Sequence, residues 1–124
     1  MKQGSALVSL AFFMLIGAVV ITAAVLIISS GAKSTTNVEQ SLMAYHAAEA
    51  GVEEGMLAIL RNSNNPNPYS ETGTAVGTAT YDLSVATDGI ITSTGKYNGF
   101  SRKIIVTTTY NSGVLTENSW QEMF

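Results

Sequence analysis

Apolar and polar positions follow three successive rhythms along the chain. From residue 4 to residue 32 no side chain is charged; Lys2 precedes the stretch and Lys33 follows it. At the rise of an α-helix its apolar core, residues 6–28, is roughly 34 Å long, enough to cross a hydrocarbon layer of ~30 Å. A soluble core helix rarely runs so long without a charge, so the stretch reads as a membrane span. Ser29, Ser30 and Gly31 are weaker helix formers that either loosen the helix or mark its exit from lipid. Helical spacing then resumes: Val38, Leu42, Tyr45, Val52, Met56 and Ile59 recur at intervals of three and four, with one gap at Glu49. Ala44, Ala47, Ala48, Ala50 and Ala58 add helix propensity. The pattern predicts one helix over about 5–60, stopped by the Asn- and Pro-rich run at 62–68.

After a polar linker reaching residue 77 the period changes to two, predicting strands at 78–87, 90–97 and 100–110. Asn98-Gly99 between the last two is the strongest short hairpin signal, a two-residue type I′ turn. That turn pairs Tyr97 with Phe100, which sets Ile91 opposite Val106 and Ser93 opposite Ile104. For Tyr81, Leu83 and Val85 to share that face, the preceding turn must be a three-residue loop, Thr87-Asp88-Gly89, with Gly89 in the left-handed position. Val85 then pairs with Ile91 and Leu83 with Ser93; a slip of one residue turns the apolar set outward. The inner face is Tyr81, Leu83, Val85, Ile91, Tyr97, Phe100, Ile104 and Val106, and its one sizeable apolar partner is the helix stripe between 38 and 60. The expected fold is α+β: a long N-terminal helix with a small antiparallel meander of three strands on its C-terminal half. Val114-Leu115-Thr116 is the place for a short fourth strand, Glu117-Asn118-Ser119 reads as loop, and Trp120 is either a plug on the sheet or part of a contact surface.

Charge and composition narrow the function. Nine acidic residues against six basic ones give a net charge of −3, which lacks the basic patch that grips nucleic acid. With no cysteine there are no disulfide staples or thiolate metal ligands. No nucleophile–base pair, carboxylate dyad or phosphate-binding loop is visible, so neither an enzyme nor a cofactor is expected. The apolar run exceeds the 7–15 residues of an ordinary signal-peptide core. Ser30-Gly31-Ala32 nevertheless looks like a small-residue cleavage site, and a secreted domain cut after Ala32 is one alternative. A monomeric single-pass membrane protein with a small binding head is another.

The short basic leader ending in Gly4, the sequence GSALVSL, and an apolar helix running directly into an amphipathic one together resemble the type IV pilins and pseudopilins. Within that group GSALVSL is similar to the start of PilX-like minor pilins. The segment Tyr45-His46-Ala47-Ala48-Glu49-Ala50-Gly51-Val52 resembles their Ala-Ala-Glu-Ala-Gly segment. Ile91-Thr92-Ser93-Thr94-Gly95 followed by Arg102-Lys103 is similar to the strands of their small heads. The resemblance implies a leader at 1–4, a hydrophobic helix at 5–32, an amphipathic half at 33–61, a linker at 62–77 and a head at 78–124. It implies cleavage after Gly4 by a prepilin peptidase, with methylation of the new N-terminus at Ser5. Export then proceeds through inner-membrane assembly machinery into a surface filament or a periplasmic pseudopilus. Partners would be other pilin subunits, identical or related, and the membrane before assembly. Ala6, Leu7, Leu10, Phe12, Phe13, Leu15, Gly17 and Val20 would then sit in the filament core. Small residues there permit close helix approach. Two departures bear on the role: Ser5 and Ser9 occupy the places where most pilins carry Phe and Glu, and the C-terminal disulfide loop of many pilins is missing. The family's Glu is thought to pair with a neighbour's N-terminal amine. Some tip-associated minor members also lack it, which points to a tip or initiating role; a lineage whose major pilins lack it is the alternative. The missing disulfide loop points to another lineage or a minor subunit.

A few further side chains are candidates. Leu42, Tyr45, Glu49, Val52 and Met56 are expected to pack the helix on Ile91, Arg102, Ile104 and Val106 of the sheet. Glu49, in the gap of the stripe, is expected to pair with Arg102, or Glu53 to do so. His46, Glu49 and Glu53 share one side of the helix at a spacing that suits a divalent metal, but four-coordinate sites need more ligands and the chain holds no second histidine. Lys96, Arg102 and Lys103 flank the hairpin tip and read as a solvated turn.

Overall fold

The computed structural model describes residues 2–62 and 68–124, with side chains from Gly4 onward. Helix α1 spans Lys2–Arg61, and the chain divides into two compact units, Met1–Asn37 and Val38–Phe124. The helix already includes Lys2, so residues 2–4 of the expected leader are helical. At its other end the helix closes where expected. The Asn62 amide donates to the carbonyls of Ala58 and Ile59 at 3.2 and 3.3 Å, and residues 63–67 of the predicted breaker lie outside the described residues.

The second unit carries an antiparallel meander of five strands in the order β1-β2-β3-β4-β5. These are β1 (Tyr69–Val76), β2 (Ala79–Val85), β3 (Ile90–Tyr97), β4 (Phe100–Asn111) and β5 (Val114–Met123). The α+β architecture is the expected one, with β5 beginning at the place given for a fourth strand and β1 added beyond the expected set. β1 occupies half of what was read as linker, residues 62–77, and β5 runs through Glu117-Asn118-Ser119, read as loop. The predicted register holds pair by pair: Tyr97 faces Phe100, Ile91 faces Val106 and Ser93 faces Ile104, while Val85 faces Ile91 and Leu83 faces Ser93. Asn98 and Gly99 both have positive φ, 46° and 84°, as a type I′ turn requires. In the three-residue loop Ala86 N donates to Ile90 O at 2.9 Å and Gly89 sits at φ 83°.

The core joins Ala48 and Val52 of the helix to Tyr81, Leu83, Val85, Ile91, Ile104 and Val106 of the sheet. Tyr45, Met56, Ile59 and Tyr69 pack around it half-buried. Tyr97 and Phe100, expected on the inner face, are half-buried beside the hairpin tip. The face that meets the sheet is rotated from the predicted stripe. Ala44, Ala47, Ala48, Gly51, Val52 and Gly55 are buried, whereas Leu42 is 51% exposed and Val38 66%. Leu42 is thus not a packing residue. Its place is taken by small residues because the two backbones come close together. A methyl on Gly95 would overlap the Ala44 carbonyl and the Ala48 amide, one on Gly51 would overlap Ser93 and Tyr81, and one on Gly55 would overlap Ile91. The large side chains Tyr45, Met56 and Ile59 fill the flanks of that contact.

Candidate functional site

The first unit offers no interior for its apolar side chains. Leu7, Leu10, Phe12, Phe13, Leu15 and Val20 are between 56% and 71% exposed; Ala6 is exposed and Gly17 half-buried. Gly4 and Ser5, the expected processing junction, lie on exposed helix, with nothing within 4 Å of a methyl built on Gly4. Among the described residues one helix is long and apolar enough to cross a membrane, with none of its most apolar stretch buried. Four hydroxyls of the first unit turn back onto the helix itself. Ser9 donates to the Ser5 carbonyl at 2.9 Å, Thr22 to Ala18 at 2.8 Å, and Thr35 and Thr36 to Gly31 and Ala32 at 3.1 Å each. A hydroxyl bonded back to the i−4 carbonyl presents no bare donor to hydrocarbon. Ser9, standing where a carboxylate was expected from the resemblance, is occupied in this way.

In the second unit Arg102 organises a cluster at one end of β4. Its Nε donates to Ser41 Oγ at 2.7 Å and its Nη1 to Glu122 Oε1 at 3.3 Å, and the guanidinium lies 4.2 Å from the centre of the Phe124 ring. Arg102 does point inward, but the expected partner is wrong: neither Glu49 nor Glu53 pairs with it. Glu49 instead meets His46, Oε2 to Nδ1 at 3.0 Å, one turn away on the same helix. Strand β5 explains the change, since it brings Glu122 opposite Ile104, nearer to Arg102 than the helix carboxylates. The same strand sets Trp120 opposite Val106, 39% exposed. Burial and the neighbouring Glu49 push the Tyr45 phenol up from its ordinary value, against a smaller opposite pull from Trp120. Among the described residues no three His, Cys, Asp or Glu side chains gather as a metal would need.

Two smaller clusters fix the outer strand β1. Tyr69 donates to the Glu71 carboxylate, which also receives Thr74 Oγ1 at 3.0 Å. The shared proton pushes Tyr69 up to about 12 and holds Glu71 low. Asp82 accepts from the Lys96 ammonium and from the Gly73 amide at 2.8 Å, and both hold its carboxyl below the ordinary value. Lys96 is therefore half of an ion pair. A cleft of about 530 Å³ lies at the far end of the sheet, lined by Glu54, Ile59, Arg61, Tyr69, Val85 and Tyr110 among others. Glu54 and Arg61 neutralise each other there at 3.2 Å.

Sequence reasoning missed Ser41, Glu122, Phe124 and the glycine contacts. A signal for the glycines was available: Ala44, Ala48, Gly51 and Gly55 fall at i, i+4, i+7 and i+11, one helix face. Comparison of the chain with family models, with characterised proteins and with solved structures finds no match.

Proposed function

We propose that this chain is a pilin-like structural subunit, inserted in the membrane through α1, processed after Gly4, and built into a surface filament or pseudopilus through residues 5–32. The observation that carries the reading is the exposed, charge-free surface of residues 4–32 in the first unit. A helix apolar all round must be covered by lipid or by other helices, and the same surface serves both in turn. The sheet-packed second unit is then the head that the filament displays. The role is mechanical, without catalysis, and the partners are other subunits with helices of the same kind, the processing peptidase and the assembly machinery.

The absence of native cysteine makes the test clean. Leu10→Cys and Leu15→Cys chains are expressed in the producing cell, which is sheared and oxidised. Disulfide-linked multimers in the sheared, sedimentable fraction are expected. Protein that stays wholly in the membrane fraction as monomer, or appears only as a soluble secreted form, overturns the proposal.

A further inference from the structure

β5 is the least buried strand of the sheet. Leu115 and Ser119 are half-buried and all its other side chains, Trp120 included, are exposed. Its ladder to β4 is interrupted between Thr107 and Thr108, where Asn118 drops out of the pairing. The hinge joining the two strands is Ser112-Gly113, with Ser112 at φ 52°, a left-handed conformation that disfavours an L side chain. Against these weak points stands one latch. Arg102 holds Glu122 by an ion pair and lies against the Phe124 ring while anchored to Ser41 of the helix. It is the one ion pair that β5 makes among the described residues.

We propose that β5 is an exchangeable strand latched by Arg102, and that the β4 edge it vacates accepts the β5 of a second copy of this chain. An identical strand is the occupant that restores every contact at once: Trp120 on Val106, Glu122 and Phe124 on Arg102, and the two-against-one step at Asn118. Swapping an element between copies loses no native contact, and opening the hinge releases the left-handed Ser112. A free sheet edge is also the surface that protein chains most readily extend. The result is a copy-to-copy link through the heads that is independent of the apolar helix and of the filament reading.

The test uses full-length chains in detergent micelles, two populations carrying different tags and single cysteines at Ile105→Cys and Gln121→Cys. Those positions are cross-strand neighbours on the face away from the helix, within disulfide reach in one sheet, and no native cysteine competes. A chain with both substitutions must close a disulfide within itself, which verifies the fold. Mixing the single variants is expected to give a disulfide between the two tags. Arg102→Met should hasten it about tenfold, as loss of a charge-assisted hydrogen bond implies, and Ser112→Gly should slow it. A mixed disulfide that never forms, even with Arg102→Met, overturns the proposal. So does one that forms equally with the out-of-register pair Thr109→Cys and Gln121→Cys.

Discussion

Gly95 and Ser93 stand two residues apart on the inner face of β3 and make opposite demands. Gly95 has helix backbone where a side chain would go, and backbone yields less than a side-chain tip. Gly95→Ala is therefore expected to cost about 3 kcal/mol, the upper end of overpacking penalties, read by denaturant unfolding followed by circular dichroism. Ser93 is fully buried and its hydroxyl has no partner. An unsatisfied buried hydroxyl carries a desolvation penalty without return, so Ser93→Ala should leave stability unchanged or raise it by up to ~1 kcal/mol. A loss larger than that shows a hydrogen bond to the helix. Neither demand was legible in the sequence. Both depend on how far α1 is rotated about its axis, and the large apolar residues on the flank pointed the reading at Leu42. The turn residues were legible because Asn98, Gly99 and Gly89 are dictated by local backbone geometry alone.

At the level of elements, α1 and strands β2 to β4 could be read in advance, the strands to the register, because each alternates strictly across a half-buried sheet. The two outer strands could not. β1 breaks its own alternation at the irregularity between Glu71 and Thr74, and β5 has few buried positions to alternate with. What ties β1 down is polar. Asp82 on β2 accepts from the Gly73 amide inside that irregularity and from Lys96 on β3. Its carboxyl is held below the ordinary value of 3.8, so it binds a proton more readily in the unfolded chain than in the folded one. Its stabilising contribution is present above pH 4 and is lost as the pH falls through the depressed folded value. Amide exchange of β1 measured at pH 6 and again near pH 3 should show protection falling at low pH, beyond the change in intrinsic exchange rate. Asp82→Asn should abolish that difference. Equal protection at both pH values in the unaltered chain contradicts the tie.

For the molecule as a whole, the two units ask for different surroundings. Val38–Phe124 buries its own core, while the first unit leaves Leu7, Phe13 and Ile27 more than 70% exposed. At ~25 cal/mol per Å² of apolar surface, a helix left in that state is strongly driven to find lipid or other helices. Its charge-free length was plain in the sequence. Whether the same surface passes from bilayer to bundle depends on how the chain is cut. The most direct measurement is the intact mass and N-terminal residue of the protein isolated from the cells that make it. A chain beginning at Ser5, with or without one added methyl group, is the predicted result, and Gly4→Leu should leave the leader in place. A chain beginning at Met1 or at Lys33 contradicts the filament reading, the first leaving a membrane-anchored monomer and the second a secreted domain.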